Sequence, residues 1–297
     1  MAYARNGDVE IYYDRFGEEG APTLLLVSGL GSQCINFKDA WCEMFAAEGF
    51  QVVRFDNRDV GLTTHFHDVV PDLARVRAAL QAGEEPDVPY RLSDMAADGM
   101  AVLDAVGVDA AHVMGLSMGG MIVQTMAIEH PDRVLSLTSV MSTTGEAGVG
   151  QAAPEANVAF AAPPATDRES AIANHLAGLR VWGSPACFDE ARLSADAGAA
   201  YDRSFDPAGR ARQLMAIMAS PRRADALREL RVPTLVLHGS EDKLIGPSGG
   251  RRTAELIPGA RFELIDGMGH DYPPAYWERW VALVTDHARA VDSSARA

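Results

Sequence analysis

The stretch that most constrains the fold runs from Ala111 to Gln124 and contains Gly115-Leu116-Ser117-Met118-Gly119. An apolar, β-prone run precedes this pattern, and a helical pattern follows it with no loop between them. A serine on so sharp a strand-to-helix turn is held at a strained backbone angle, and the flanking glycines let the neighbouring backbone pass closely. The first amides of the helix then point at the space above Ser117, where they would stabilise developing negative charge. The pattern therefore predicts a nucleophilic serine rather than an ordinary tight turn.

Length and charge limit the classes of protein to which the chain can belong. Its 297 residues favour one large α/β domain with an inserted subdomain. The net charge of −15 argues against nucleic acids and anionic membrane surfaces as partners. The N-terminus lacks the apolar core of a signal peptide, and no window of about 18 uncharged apolar residues occurs. We therefore expect a cytoplasmic protein that does not insert into membranes.

The cysteines and the paired histidines do not indicate a metal site. His65 and His67 lie two residues apart with only Asp68 beside them, and a metal site would need further ligands. The cysteines are odd in number and lack Cys-x-x-Cys spacing, which is typical of free thiols in a reducing compartment. They are Cys34, Cys42 and Cys187. We therefore expect no bound metal.

Apolar runs alternate with helical patterns through most of the chain, which indicates parallel β-α-β units. Strands are predicted at 8–16, 23–27, 51–55, 113–116, 134–141, 232–237 and 262–265. Helices are predicted at 37–48, from an N-cap at Ser93 to Gly107, at 118–130 and at 247–257. A last helix is predicted to carry Trp277, Trp280, Val281 and Val284 on one face, with a frayed tail from Val291. The polar stretch 63–89 contains no predicted element.

The alternation breaks down after the strand that ends near residue 141. Short helices are predicted there, around 169–181 and 189–201. We interpret residues 143–221 as a helical cap above the carboxyl ends of the strands, where open α/β sheets bind ligands. Residues 1–142 and 222–297 then form the core domain.

Three reactive side chains each follow a separate predicted strand: Ser117, Asp242 and His270. Because parallel strands share one direction, these loops should meet at one edge of the sheet. Serine, acid and histidine in this chain order are typical of one hydrolase fold. Neutral His270 would take the hydroxyl proton of Ser117, and Asp242 would hold the ring and stabilise the imidazolium. The sequence therefore predicts a catalytic triad.

Other acids and histidines lie close to these positions. Glu241 and Asp266 are alternative acids, but Asp242 stands in a Gly-x-x-Asp pattern that begins at Gly239. His238 ends a strand and is expected to be a structural histidine bonded to backbone. The remaining histidines at strand or helix edges are also expected to be structural. They are His112, His130, His175 and His287.

A tetrahedral intermediate also needs hydrogen-bond donors for its oxyanion. The Met118 amide is one predicted donor because it directly follows the nucleophile. The Leu30 amide, in the Gly-rich loop after strand 23–27, is the second. The residues expected to line the substrate pocket are Gly29, Met141, Trp182, Met215 and Met268.

Together these motifs resemble those of the α/β-hydrolases over almost the full chain. Those that carry the resemblance are Gly115-x-Ser117-x-Gly119, Gly239-x-x-Asp242 and Gly267-Met268-Gly269-His270. The run 53–61 and the 28–31 loop are similar to an esterase subgroup that includes the aclacinomycin methylesterases. Ser28 departs from this family, since many members have His-Gly before the oxyanion residue. The resemblance implies an eight-stranded, mostly parallel sheet with flanking helices and a helical cap, and ester hydrolysis without a cofactor.

The sequence thus predicts a serine carboxylic-ester hydrolase that works through an acyl-enzyme on small to medium apolar esters, methyl esters included. A thioesterase, a lysophospholipase or a cofactor-free perhydrolase would use the same triad. A ligand-binding relative without turnover is the alternative from another class. The expected partner is a small-molecule ester, and assembly into a homo-oligomer is left open.

Overall fold

A computed structural model describes residues 2–295 and contains one eight-stranded sheet. The strands are β1 (Ala2–Asn6), β2 (Val9–Phe16), β3 (Thr23–Val27), β4 (Gln51–Phe55), β5 (Ala111–Leu116), β6 (Val134–Val140), β7 (Thr234–Gly239) and β8 (Arg261–Ile265). Their order in the sheet is β1-β2-β4-β3-β5-β6-β7-β8. Strand β2 pairs antiparallel with both β1 and β4, and all other pairs are parallel. The predicted eight-stranded, mostly parallel sheet is confirmed.

Helices make up much of the rest of the described chain, and several of them pack on the two faces of this sheet. The helices are α1 (Asp39–Ala47), α2 (Leu73–Ala82), α3 (Leu92–Ala105), α4 (Met118–Glu129), α5 (Pro154–Phe160), α6 (Arg168–Trp182), α7 (Glu190–Arg203), α8 (Pro207–Ala219), α9 (Ala224–Glu229), α10 (Ser248–Leu256) and α11 (Trp277–Ala295). In the part of the chain that the structure describes, no helix is both long enough and apolar enough to span a bilayer.

Two apolar layers hold the helices on the sheet, and β3 shows why. Every residue of β3 is buried, and successive side chains of a strand point to opposite faces. Leu25 and Val27 pack into the layer beneath α3 and α4. Leu24 and Leu26 pack into the layer beneath α1 and α11. A continuous apolar run is therefore what a central strand with two covered faces requires.

The strand register places several loops at one edge of the sheet. Val27 pairs with Gly115, and Leu116 pairs with Val140, so β3, β5 and β6 end side by side. Gly239 pairs with Ile265, so β7 and β8 also end together. The loops that carry the predicted reactive residues follow β5, β7 and β8.

Three details differ from the sequence prediction. Strand β1 and helix α2 lie where no element was predicted. Helix α3 has Arg91 rather than Ser93 at its N-cap, and the Arg91 N–H donates to the carboxylate of Asp94 at 2.7 Å. The prediction of Ser93 as the cap was wrong, because its hydroxyl instead donates to Glu129 on α4 at 2.7 Å.

Residues 143–221 contain the four helices α5 to α8, between β6 and α9. Helix α6 extends the predicted 169–181 segment by one residue at each end, and α7 covers most of the 189–201 segment. Helices α5 and α8 were not placed from the sequence. The division into a core of 1–142 and 222–297 and a cap of 143–221 stays a prediction.

Candidate active site

Ser117 occupies the sharp turn between β5 and α4. Its φ of 57° and ψ of −115° lie in a region that non-glycine residues rarely adopt. The Ser117 N–H donates to the Val140 carbonyl at 2.9 Å. A Cβ on Gly119 would lie 2.0 Å from the Val27 carbonyl oxygen, and one on Gly115 would lie 2.1 Å from the Gly119 oxygen. Both flanking positions therefore require glycine, as the sequence pattern predicts.

His270 and Asp242 both lie in hydrogen-bonding contact with this turn. The Nε2 atom of His270 is 3.0 Å from the Ser117 Oγ, and its Nδ1 is 2.7 Å from an Asp242 carboxylate oxygen. The His270 side chain is only 8% exposed. If Nδ1 carries the proton of the neutral ring, Nε2 is free to accept the Ser117 hydroxyl. The structure thus brings together the three residues that the sequence predicts to be reactive.

Asp242 is a buried carboxylate whose oxygens all have donors. One oxygen accepts the N–H groups of Leu244 and Ile245, both at 2.9 Å. Burial alone would raise the pKa of Asp242, but the charge of His270 and hydrogen bonds from His238 and His270 outweigh it and lower the pKa to about 2. The carboxylate is therefore ionised at neutral pH and can stabilise a positive charge on His270.

His238 is an additional neighbour of Asp242 that the sequence did not predict. Its Nε2 donates to the Ile245 carbonyl at 2.8 Å, as expected of a structural histidine, and also lies 3.3 Å from an Asp242 oxygen. The two alternative acids, Glu241 and Asp266, are exposed. Asp242 is the acid that reaches His270.

Of the two predicted oxyanion donors, Met118 directly follows Ser117, and Leu30 directly follows Gly29 in the loop after β3. Within residues 2–295, no protein acceptor takes the N–H of Leu30 or of Met118. A Cβ on Gly29 would lie 3.4 Å from Ser117 Cβ and 3.9 Å from its Oγ, so this loop packs against the nucleophile. Asn57 donates to the Ser28 carbonyl at 3.0 Å and fixes the loop. Two unpaired amides beside Ser117 are what an oxyanion hole requires, and this role stays a prediction.

The predicted pocket residues occupy different environments. Gly29 lies against Ser117, as described above. Met141 and Met268 are buried in the apolar layer beneath α1 and α11, and Met141 has a φ of 41°. Met215 is buried in α8, and Trp182 ends α6. Contact of any of them with substrate stays a prediction.

The end of α6 and the residues that follow it bind the loop that carries His270. The His270 N–H donates to the Trp182 carbonyl at 2.6 Å, and the Gly269 N–H donates to the Ser184 hydroxyl oxygen at 2.9 Å. The Ser184 N–H and hydroxyl both donate to the Asp271 carboxylate. Burial raises the pKa of Asp271, and these bonds from Ser184 oppose that rise. Sequence reasoning missed this contact because its partners are more than 80 residues apart.

The His65 and His67 pair meets a carboxylate that is distant in sequence. Asp206 lies 2.9 Å from His65 Nδ1 and 3.7 Å from His67 Nδ1, and the three candidate ligand atoms are within 4.8 Å of one another. Arg212 lies 2.7 Å from the same Asp206 oxygen, and its positive charge opposes the binding of a cation there. The three cysteines are free, as predicted.

Comparison with known proteins agrees with this architecture. The model of a family described as the alpha/beta hydrolase fold matches residues 22–177. Rhodomycin D methylesterase DnrP of Streptomyces peucetius is 28% identical, over 96% of this chain and 97% of that protein. A putative carbamate hydrolase, RutD of Azorhizobium caulinodans, is 29% identical over 92% of each protein.

The solved structure of the esterase RhEst1 from Rhodococcus sp. ECU1013 has the same fold. It superposes with a TM-score of 0.75 at 22% identity, over 97% of this chain and 98% of that chain. The family model covers more than half of the present sequence, and the sheet, the strained turn and the order of the reactive loops agree with it. The chain belongs to the α/β-hydrolase fold family.

Proposed function

We propose that this protein is a serine carboxylic-ester hydrolase with Ser117 as nucleophile, His270 as general base and Asp242 as its partner. One observation carries the proposal. A continuous hydrogen-bonded chain joins the Ser117 hydroxyl to a buried, ionised carboxylate through His270, with contacts of 3.0 and 2.7 Å. Its first member stands on a strained turn that holds the hydroxyl away from the backbone.

Acylation begins when the Ser117 oxygen attacks the ester carbonyl carbon. A serine hydroxyl is a weak nucleophile at neutral pH, so His270 Nε2 takes its proton as the new bond forms. The resulting imidazolium is stabilised by Asp242 and then protonates the departing alkoxide. An alcohol leaves, and the acyl group remains on Ser117.

Negative charge on the carbonyl oxygen is stabilised by the Leu30 and Met118 amides. Neither amide needs to break a protein hydrogen bond to do so, since neither has an acceptor among the described residues. Loss of one such donor typically costs about 3 to 4 kcal/mol of transition-state stabilisation. In deacylation, His270 takes a proton from a water molecule that attacks the acyl carbonyl carbon, and the same two amides stabilise the second intermediate. The bond between the acyl carbon and the Ser117 oxygen then breaks, His270 returns the proton to that oxygen, and the carboxylic acid leaves.

The class of ester is inferred from the relatives. DnrP of Streptomyces peucetius is named a methylesterase, and so is DauP of Streptomyces sp. strain C5, which is 28% identical over 95% of this chain. We therefore infer that carboxylic esters of small alcohols are the substrates. A panel of methyl esters of bulky polycyclic acids, matched with thioesters, would separate this activity from that of a thioesterase.

We also propose that residues 143–221 act as the cap over this site. Two contacts join it to the catalytic loops. Gln213 of α8 accepts the Gly31 N–H at 2.8 Å, and the end of α6 with the residues that follow it binds the His270 loop as described. The acyl and alcohol groups would then be bound largely by cap residues.

Hydrolysis of p-nitrophenyl acetate by Ser117→Ala tests the proposal. We expect kcat to fall by about 10⁶-fold, because the other triad members cannot act without the nucleophile. Thermal unfolding should change little, since the hydroxyl is not part of the core. Ser93→Ala makes the same substitution outside the site and should retain full activity. Undiminished turnover by Ser117→Ala would refute the assignment.

A further inference from the structure

Arg210 is a cation in the first turn of α8 for which the described chain provides no acidic partner. Helix α8 begins at Pro207 after the Asp206 N-cap and contains no acidic residue in its first turn. No carboxylate among the described residues contributes to the pKa of Arg210. The first turn is also the end of a helix at which a positive charge is unfavourable. Neither ion pairing nor the helix dipole therefore explains this side chain.

The position of Arg210 links it to the proposed oxyanion loop. A Cβ on Gly31 would lie 3.1 Å from both Cγ and Cδ of Arg210. Gly31 directly follows Leu30, whose amide is the proposed donor, and Gly29 packs against Ser117. The Arg210 guanidinium lies over the ring of Phe160 on α5, 4.5 Å from its centroid. Arg210 thus lies between the oxyanion loop and a cap helix.

Arg210 is exposed to solvent, although the surrounding protein partly desolvates its charge. This desolvation lowers the pKa of Arg210. Phe160 holds the guanidinium in place by a cation–π contact, which leaves the positive charge unneutralised.

We propose that Arg210 binds a carboxylate group on the substrate, so that the preferred esters carry a free acid group in addition to the ester bond. This inference rests on the proposed ester hydrolysis and narrows its substrate class. A planar guanidinium matches a carboxylate with two parallel hydrogen bonds. The net charge of −15 would otherwise repel acidic substrates, and one unpaired cation at the site offsets that repulsion locally.

Matched pairs of activated esters test this specificity. One pair is the p-nitrophenyl half-ester of adipic acid and the p-nitrophenyl ester of its monoamide, which carry the acid or amide on the acyl side. The second pair is 4-acetoxybenzoate and 4-acetoxybenzamide, which carry it on the alcohol side. For each pair, kcat/KM is measured in the wild type, Arg210→Gln, Arg210→Lys and Arg168→Gln. Arg168→Gln removes one positive charge from a solvent-exposed ion pair elsewhere in residues 143–221 and serves as the control.

We expect the acid-to-amide ratio of kcat/KM to fall about 10- to 100-fold in Arg210→Gln for at least one pair, the size of a lost charge-assisted hydrogen bond. Arg210→Lys should retain a larger part of the ratio because it keeps the charge, and Arg168→Gln should retain all of it. Equal ratios in the wild type and Arg210→Gln for both pairs would overturn the inference. If Arg210→Gln does not fold, the acid-to-amide ratio of the wild type is measured at increasing salt concentration instead. Added salt should lower this ratio, because it screens the attraction between Arg210 and the carboxylate. A ratio that does not change with salt would contradict the proposal.

The two proposals fail in different ways. If the wild type hydrolyses these esters but Arg210→Gln has the same acid-to-amide ratio, the proposed role of Arg210 is wrong and ester hydrolysis stands. If the folded wild type hydrolyses none of the four esters and Ser117 does not react with a fluorophosphonate, ester hydrolysis is refuted and the role of Arg210 with it.

Discussion

At the scale of single residues, the site combines a strained serine with a carboxylate that is unusually well supplied with donors. The positive φ of Ser117 is maintained by its hydrogen bond to Val140 and by the close passage of Gly119 past β3. Asp242 accepts two backbone N–H groups and lies next to two histidines. The serine is the proposed nucleophile, and the donors around Asp242 keep this carboxylate ionised and fixed in position.

The low pKa of Asp242 has a consequence for stability in acid. Its pKa in the folded protein is about 2, below the ordinary value of 3.8, so folding favours the ionised form. This contribution is complete above the pKa of the unfolded chain and is lost as pH falls through about 2. We expect Asp242→Asn to be about 2 kcal/mol less stable than the wild type near pH 5, with the difference vanishing between pH 4 and 2.

Urea unfolding of both proteins at a series of pH values measures this difference. Asp225→Asn, at an exposed carboxylate, is the control and should show little effect. If the difference in free energy of unfolding between the wild type and Asp242→Asn stays constant down to pH 2, the folded protein does not selectively stabilise the ionised carboxylate.

At the scale of elements, the end of α6 and the residues that follow it contact the His270 loop. The Trp182 carbonyl and the Ser184 hydroxyl accept hydrogen bonds from backbone N–H groups of the loop after β8. A neighbouring strand would supply such acceptors inside a sheet. The approach is close enough that a Cβ on Gly269 would lie 2.3 Å from the Gly183 carbonyl carbon. The end of α6 therefore positions His270, the proposed general base, in addition to any role in binding substrate.

Ser184→Ala tests this positioning role. It removes the acceptor of the Gly269 N–H and a donor to the buried Asp271, so the His270 loop should shift. We expect kcat to fall about 10- to 100-fold with little change in KM, as for a small misplacement of a catalytic group. Ser184→Thr keeps the hydroxyl and should restore most of the rate. Ser170→Ala, at the other end of α6, should leave the rate unchanged, and an equal loss in both alanine variants would contradict the role.

The elements also show what a sequence can and cannot reveal. The central strands are continuous apolar runs, and the three proposed catalytic residues follow them, so the strands and the position of these residues could be predicted. Strand β1 buries only Ala4 and helix α2 buries only Val76, which leaves too weak an apolar pattern to detect. Ser184, Gln213 and Arg210 were missed for another reason. Their contacts join segments far apart in the chain, which no local pattern encodes.

At the scale of the whole molecule, buried ion pairs join residues 143–221 to the rest of the chain. Arg212 of α8 is 1% exposed and pairs with Asp59, in the loop after β4, and with Asp206. Tyr90 also donates to the Asp59 carboxylate at 2.6 Å. Because these groups are buried, removing one charge leaves its partner without compensation.

Arg212→Met is therefore expected to lower the free energy of unfolding by about 3 to 5 kcal/mol. Arg168→Met breaks an ion pair whose side chains are 52% and 58% exposed, and should cost less than about 1 kcal/mol. Urea unfolding followed by circular dichroism measures both, and the wild type should unfold in one transition if the two parts fold together. A separate early transition in the wild type, or an Arg212→Met variant as stable as Arg168→Met, would contradict this view.

The reaction of Ser117 with a fluorophosphonate tests the central claim most directly. Intact-mass measurement and peptide mapping should find one adduct per chain, located on Ser117. The adduct should be absent from Ser117→Ala and should form far more slowly in His270→Ala, because the hydroxyl then has no base. A folded wild-type protein that remains unlabelled, or that is labelled at another residue, would contradict the proposed triad.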